Sequence, residues 1–474
     1  MRRSGRRERL RRGRTSTWFL VAVAVAVTAA IMQMIMGGQG ARTSGPAEGE
    51  GGEGRLKIVV WNWANNPMSR IMRDKVRAFN IQYPEVELVY ETAEFDSLWS
   101  KLAATLAANE GPDLMNVHMD HHYGYMVKGR ILPYPEEMFP PKWIEKDFDV
   151  IQDFYYRDGR YYVIPVADMA GTIYFNRKVL AEGGFTERDI PKTWPEFLDF
   201  AKKLTKYDYR GRVIRPGFAI KTYEYPLYGD LVVQFGANFT KGGGKTSGLA
   251  DPGSVKAMDV IRDIYFDHKT DSVESVDNMQ NFASGNAALT YCWTWYSGFL
   301  TDMNSKQSDP SKRLDWGMAP IPVPTESDLA DPKFIVGRKN VESGWVVFDH
   351  AAKDKLPHIW KFIRSTYDDD YYLARLNTEA WTTRPVKYSV REHPFVLEDR
   401  ACQVISERMD RKTYSGSLGD AFTKIIEDAI NRVKSGVAPA AALEEASEKF
   451  QKLLASGRDF GFIEVDQSRK GGGD

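Results

Sequence analysis

Apolar positions along this chain switch between two rhythms. Lys57-Ile-Val-Val-Trp61 reads as a buried strand, and Met68, Ile71, Met72, Val76 and Phe79 follow at helical spacing. Val86–Tyr90 is the next strand, Leu98, Leu102 and Leu106 mark a helix, and Asp113–Val117 is a third strand. This βαβαβ order predicts an α/β fold with a mostly parallel sheet flanked by helices. Ligands of such sheets sit outside the carboxyl ends of the strands, so Trp61–Asn66, Glu91–Phe95 and His118–His122 are the segments to watch.

Further along, Thr193-Trp-Pro-Glu196 predicts a capping box, with Trp194, Phe197, Leu198, Ala201 and Leu204 on one helix face. Asp251-Pro252 predicts another helix start, with Val255, Met258, Ile261 and Tyr265 as its buried stripe. Strands are expected at Ala287–Trp293 and Val341–Phe348, and helices at Leu356–Tyr367, Ala421–Ser435 and Pro439–Leu454. Pro320-Ile-Pro-Val-Pro324 can be only an extended connection.

The first 36 residues have a different character. Eight Arg and one Glu fill residues 1–14, followed by the nearly charge-free run Trp18–Met36. As a helix that run spans about 28 Å, close to the hydrocarbon thickness of a bilayer. Basic residues before it stay cytoplasmic, which predicts export of everything after it. A cleaved signal peptide and an uncleaved transmembrane anchor are both compatible with it. Residues 37–55 are a Gly-rich flexible linker, and 463–474 form a disordered tail.

Composition narrows the function. The chain has 474 residues, 43% of them apolar and 27% charged, enough for a large core and two or three domains. Lys+Arg and Asp+Glu both number 64; without residues 1–14, 56 bases face 63 acids. The body is therefore mildly acidic, and nucleic acid is not expected as a partner. Cys292 and Cys402 offer neither a disulfide framework nor a Cys-based zinc site, and two separate buried thiols are expected rather than a bridge. Gly242-Gly-Gly-Lys-Thr246 lacks the first Gly of a P-loop, because Phe239 stands there. No Gly-x-Ser-x-Gly elbow or Ser/His/Asp set stands out. His118, His121 and His122 lack the spacing of a helical zinc pair and an obvious fourth ligand, so no metal or other cofactor is expected.

An ordered set of motifs then carries a resemblance. Gly111-Pro-Asp113 with Gly129-Arg-Ile-Leu132, Ile164-Pro165 before Ile173-Tyr-Phe-Asn176, Thr193–Glu196, Phe282-Ala-Ser-Gly-Asn-Ala-Ala-Leu289 with Trp293 and Trp295, and Ser435-Gly436 with Ala441–Leu443 resemble extracellular sugar-binding proteins of ABC importers. The matches cover residues 56 to about 460. The resemblance, to the maltose-binding-protein-like family, implies a two-lobed type II periplasmic binding fold with the ligand between the lobes. It implies lobe one at 56–167 with 326–378 and lobe two at 168–320 with 380–462, with crossings near Val166–Gly171, Pro320–Pro324 and Trp381–Pro385.

A sugar presents apolar C–H faces and a ring of hydroxyls, which aromatic rings and polar side chains bind respectively. Candidates at strand ends are Trp63, Trp293, Trp295 and Trp345, with Trp61 read as core. Within each Trp-x-Trp pair the side chains should share a strand face. The resemblance adds Asp120 and His121, the latter where the family has Arg, and Glu224 with Tyr225; Glu94, Trp381 and Arg384 lie in loops facing the same cleft. The expectation is a non-enzymatic, monomeric receptor that delivers a carbohydrate to ABC permease subunits at the outer face of the membrane. A polyamine-like solute, an anchored glycan-acting enzyme with paired carboxylates and a sensor subunit remain open alternatives.

Overall fold

The computed structural model describes residues 54–456, with 65, 151–154, 342, 377–382, 410–412 and 415–418 outside that description. The basic tip, the apolar run, Trp381 and the C-terminal tail therefore lie outside the described residues, as do the side chains of Met119 and Asp120. The folded body starts at Leu56. Among the described residues no helix is long and apolar enough to cross a membrane.

Along the body the relevant strands are β1 (Leu56–Trp63), β2 (Val86–Ala93), β3 (Leu114–His118), β4 (Ala167–Met169), β5 (Gly171–Asn176), β6 (Phe218–Ala219) and β7 (Leu289–Trp293). They continue with β8 (Trp316–Ala319), β9 (Gly337–Arg338), β10 (Asn340–Val341), β11 (Ser343–Val347), β12 (Arg384–Pro385) and β13 (Thr413–Tyr414). The first sheet has the order β11-β3-β1-β2. Its β1–β2 and β1–β3 pairs are parallel, joined by helices Asn66–Gln82 and Phe95–Ala107 as the apolar rhythm requires. Ile58, Val60 and Trp61 of β1 pack with Met72, Val76 and Phe79 of the first helix and Leu98 and Leu102 of the second. Each such fully buried aliphatic side chain contributes about 1.5–3 kcal/mol.

The second sheet, β6-β7-β5-β8, departs from expectation. Only β6–β7 is parallel, whereas β5 runs antiparallel to both β7 and β8. β5 enters this sheet directly from a chain crossing, which sets its direction against its neighbours. Its core is separate from the first and draws in helices Trp194–Leu204, Pro252–Tyr265, Gly419–Lys434 and Pro439–Ala455. The last two helices turn at Gly436, whose positive φ suits glycine, and Pro439 opens the second of them.

Local starts differ in detail from the sequence reading. Thr193 does cap Trp194–Leu204, but its Oγ1 donates to Glu196 Oε2 at 2.8 Å and makes no side-chain bond to the helix backbone. Asp251 makes none either, because Lys241 Nζ holds its carboxylate at 2.7 Å. Gly242, Gly243 and Gly244, all at positive φ, close a small hairpin between Thr240–Lys241 and Thr246–Ser247.

Between the two cores lies a three-stranded sheet, β10-β4-β12, made of chain crossings. It corrects one boundary. Ile321, Val323 and Val336 all pack in the second core, and Val323 exchanges backbone bonds with Lys192 and Trp194. The return crossing is therefore at β10, not at Pro320–Pro324.

Candidate functional site

The parallel register of the first sheet aligns the ends of its strands. Trp63, the last residue of β1, pairs with Ala93, the last of β2, just before Glu94 and Phe95. His118 ends β3 beside them and leads into helix Met119–Val127. Trp63 meets Phe95 edge-on at 5.9 Å and His118 at 6.4 Å, and Phe95 meets His118 at 5.6 Å and Trp99 at 5.4 Å. Trp99 stacks face to face on His121 at 3.9 Å. The result is a five-ring ledge at the carboxyl end of the sheet, with Phe95 exposed and Trp63 half-buried. Glu94 is exposed at its rim; it occupies the N-cap position of helix Phe95–Ala107 without a side-chain capping bond.

Beside Trp63 lies a narrow recess lined by Asn62, Met68, Asn116, Trp345, Tyr371 and Arg375, among others. Asn116 is buried in the middle of β3, and its Oδ1 has no hydrogen-bond partner. A polar side chain inside an otherwise apolar strand is the signal the sequence offers for it.

The second sheet offers Trp293 at the end of β7 and Trp295 two residues on. The two do not share a strand face as expected. The strand stops at Trp293, and Trp295 already has helical backbone angles as the N-cap residue of Tyr296–Lys306. Trp295 is 36% exposed and Phe299, one helical turn later, is 45% exposed. Trp293 is nearly buried; the guanidinium of Arg338 lies 5.9 Å from its ring and 5.6 Å from that of Tyr225. Helix Met119–Val127 of the first lobe approaches helix Gly419–Lys434 of the second within 8 Å between Cα atoms.

Three candidates are engaged with partners inside the protein. Glu224 is buried, and its Oε1 accepts from Tyr265 Oη at 2.7 Å and Lys434 Nζ at 2.6 Å while Oε2 accepts from Thr222 N at 2.8 Å. Burial, then Asp271 and Glu224, push the Tyr265 hydroxyl well above its ordinary range, so it remains a donor. Glu224 thus braces Tyr265, Lys434 and the backbone at Thr222. Trp345 is 2% exposed and packs edge-on against Phe362 at 5.9 Å; it is a core residue that forms the floor of the recess.

Arg384 is the third. It sits in β12 directly opposite Asp168 of β4, and its Nη2 donates to Asp168 Oδ2 at 2.9 Å. Arg391 Nη2 donates to the same oxygen at 2.9 Å and to Asp149 Oδ2 at 2.8 Å. Lys339 Nζ reaches Asp149 at 2.9 Å and Asp168 at 3.4 Å. Two acids and three bases therefore form one cluster at the chain crossings. Burial pushes the Asp149 carboxyl up, but Lys339 and Arg391 outweigh it and hold it at about 2.

The His118–His122 rings are committed to aromatic neighbours, with His122 stacked on buried Tyr155 at 5.3 Å. Among the described residues no group of three His, Cys, Asp or Glu could hold a metal ion. Cys292 and Cys402 are free and buried in different cores.

Two α/β cores joined by a sheet of chain crossings, with accessible rings at strand ends, are the features of a solute-binding protein. The chain belongs to the bacterial extracellular solute-binding protein family, whose profile matches residues 75–403. It is 25% identical over 264 residues to an arabinooligosaccharide-binding protein of Halalkalibacterium halodurans, covering 53% of this chain and 57% of that one. It is 20% identical over 275 residues to a maltotriose-binding protein of Pyrococcus abyssi, covering 58% and 55%. The matches thus span little more than half the length of these curated relatives. Two solved structures share the fold. One is a maltose/maltodextrin-binding domain from Bdellovibrio bacteriovorus bound to maltotriose (TM-score 0.68, 18% identity, 84% of this chain and 100% of that one). The other is a Thermotoga lettingae solute-binding protein bound to α-D-tagatose (TM-score 0.70, 16% identity, 84% and 100%).

Proposed function

We propose that this protein is a non-enzymatic extracytoplasmic receptor that captures a carbohydrate between its two lobes and hands the closed form to an ABC-type permease. The observation that carries this reading is that both sheets end in accessible rings: Trp63 and Phe95 at the first, Trp295 and Phe299 after the second. Flat rings at strand ends suit the C–H faces of a sugar. A ligand that touches both lobes binds the closed state better and shifts the population toward it. The names of the relatives and the sugars in the related structures support the same class of ligand.

A polyamine-like solute is less well supported, because Glu224 is neutralised by Lys434 and Arg338 lies beside Trp293. On this reading the run Trp18–Met36 exports the body and, if uncleaved, anchors it. The 37–55 linker would then raise its effective concentration at the permease. The receptor would act as a monomer beside its permease.

A thermal-shift screen against neutral oligosaccharides, polyamines and glycerol phosphate tests the assignment. At 100 times Kd a ligand adds about 2.7 kcal/mol of stability. Shifts confined to the sugars support it; a shift with polyamines alone overturns the ligand class.

A further inference from the structure

We infer that Arg338 is a positioning residue for the rings of the second lobe, and that its neighbour Lys339 ties those rings to the hinge. The inference rests on the proposed sugar-binding function and on Trp293 and Tyr225, both candidates of the sequence analysis, touching the ligand.

Arg338 is the last residue of β9, and Lys339 is the single residue between β9 and β10. Successive side chains of an extended segment point to opposite sides. Here one basic side chain goes to each of two structures. The Arg338 guanidinium lies over both Tyr225 and Trp293, so each ring has a fixed neighbour on one side. Arg338 is itself held by two hydrogen bonds and an ion pair. Its Nη2 donates to Pro226 O at 2.9 Å, its backbone N donates to Asp230 Oδ1 at 2.7 Å, and its Nε lies 3.7 Å from that carboxylate.

Asp230 is fully buried and is oriented in turn by the Tyr291 hydroxyl, which donates to Oδ2 at 2.8 Å. Two glycines make room for this arrangement. A Cβ on Gly229 would collide with the Arg338 guanidinium, and one on Gly171 would collide with the Tyr291 hydroxyl. A helix interior has little use for Gly229 otherwise.

The other side chain, Lys339, is 6% exposed and bridges Asp149 and Asp168. Asp168 pairs with Val341 of β10 and with Arg384 of β12, so it sits where two crossings meet. One peptide bond therefore separates the residue that packs the rings from the residue that binds the hinge cluster. A ligand that fixes the rings restrains Arg338, and a hinge rotation that moves β10 moves Arg338 too. Such coupling is reciprocal, so a hinge change must alter affinity at the rings.

The test uses the full-length chain, with maltotriose and arabinotriose as probes, read by calorimetry and by the ligand-induced change in tryptophan emission. Trp293→Ala reports whether the ligand reaches that wall. Arg338→Lys keeps the charge but loses the planar fork, and Asp230→Asn removes the carboxylate charge beside Nε while leaving Arg338 in place. With Trp293→Ala strongly impaired, each of these two variants should weaken binding about tenfold and diminish the emission change while thermal unfolding remains cooperative. In the Lys339→Met background the penalty for Arg338→Lys should shrink to under threefold. Wild-type affinity in both Arg338→Lys and Asp230→Asn overturns the positioning role. A tenfold penalty in both backgrounds overturns the link to the hinge. If neither probe binds wild type, or Trp293→Ala binds normally, the ligand reading beneath the inference fails and takes it along.

Discussion

Asp168 and Arg384 are direct cross-strand partners where the chain passes between its two cores, and a 2.9 Å charged hydrogen bond joins them. Asp168 is fully buried, with Arg391 and Lys339 also at its carboxylate. Its removal leaves three bases facing Asp149 alone. Asp168→Ala should cost about 3–5 kcal/mol, the usual penalty for breaking a buried ion pair. Urea unfolding measures it; a loss below about 1 kcal/mol would contradict the cluster's role as a structural pin.

The same cluster sets an acid limit. The Asp149 carboxyl is held at about 2 in the folded protein, below its ordinary value of 3.8. A depressed carboxyl contributes stability that is full above its unfolded pKa and disappears as pH falls through the folded one. The loss should therefore fall between about pH 4 and pH 2 and amount to roughly 2 kcal/mol. Asp149→Asn should flatten that part of the curve in denaturant titrations at stepped pH.

Trp345 and Trp63 look alike in sequence but should respond differently. Trp345→Ala empties a core position beside Phe362 and should lower stability by about 3–5 kcal/mol. Trp63 is only half-buried, so Trp63→Ala should cost less than half of that. Thermal unfolding of the two variants side by side checks the contrast.

Glu224→Gln should behave as a brace variant. Lys434 would lose its counter-charge 2.6 Å away in a mostly buried site. A stability loss of about 1–3 kcal/mol is expected, with sugar affinity within twofold of wild type. A tenfold affinity loss without destabilisation would return Glu224 to the ligand.

The two thiols should be silent in the native protein. Burial, foremost, pushes both Cys292 and Cys402 up, and neither is exposed. A thiol reagent should label them only on unfolding, at two equivalents per chain. Immediate native labelling would contradict their burial.

The βαβαβ opening, the strand-end aromatics and the core role of Trp61 were legible because each depends on neighbours close in sequence. Periodicity reports which face of an element is apolar, and Trp61 indeed lies in the first core. The roles of Glu224 and Arg384 were not legible. Their partners Lys434 and Asp168 lie 210 and 216 residues away, and no local pattern announces such pairings. Trp295 was misplaced for a different reason: alternation holds only while the strand continues, and β7 ends two residues earlier. The return crossing was missed because a proline-rich stretch signals an extended chain without saying which core it borders.

The central claim is that rings from both lobes hold one sugar. Calorimetric titration of wild type, Trp63→Ala and Trp295→Ala with whichever oligosaccharide gives the largest thermal shift tests it most directly. The account predicts one site per chain in the wild type and at least a tenfold loss of affinity in each variant. Unchanged affinity in both variants, with the sugar still bound, would contradict it.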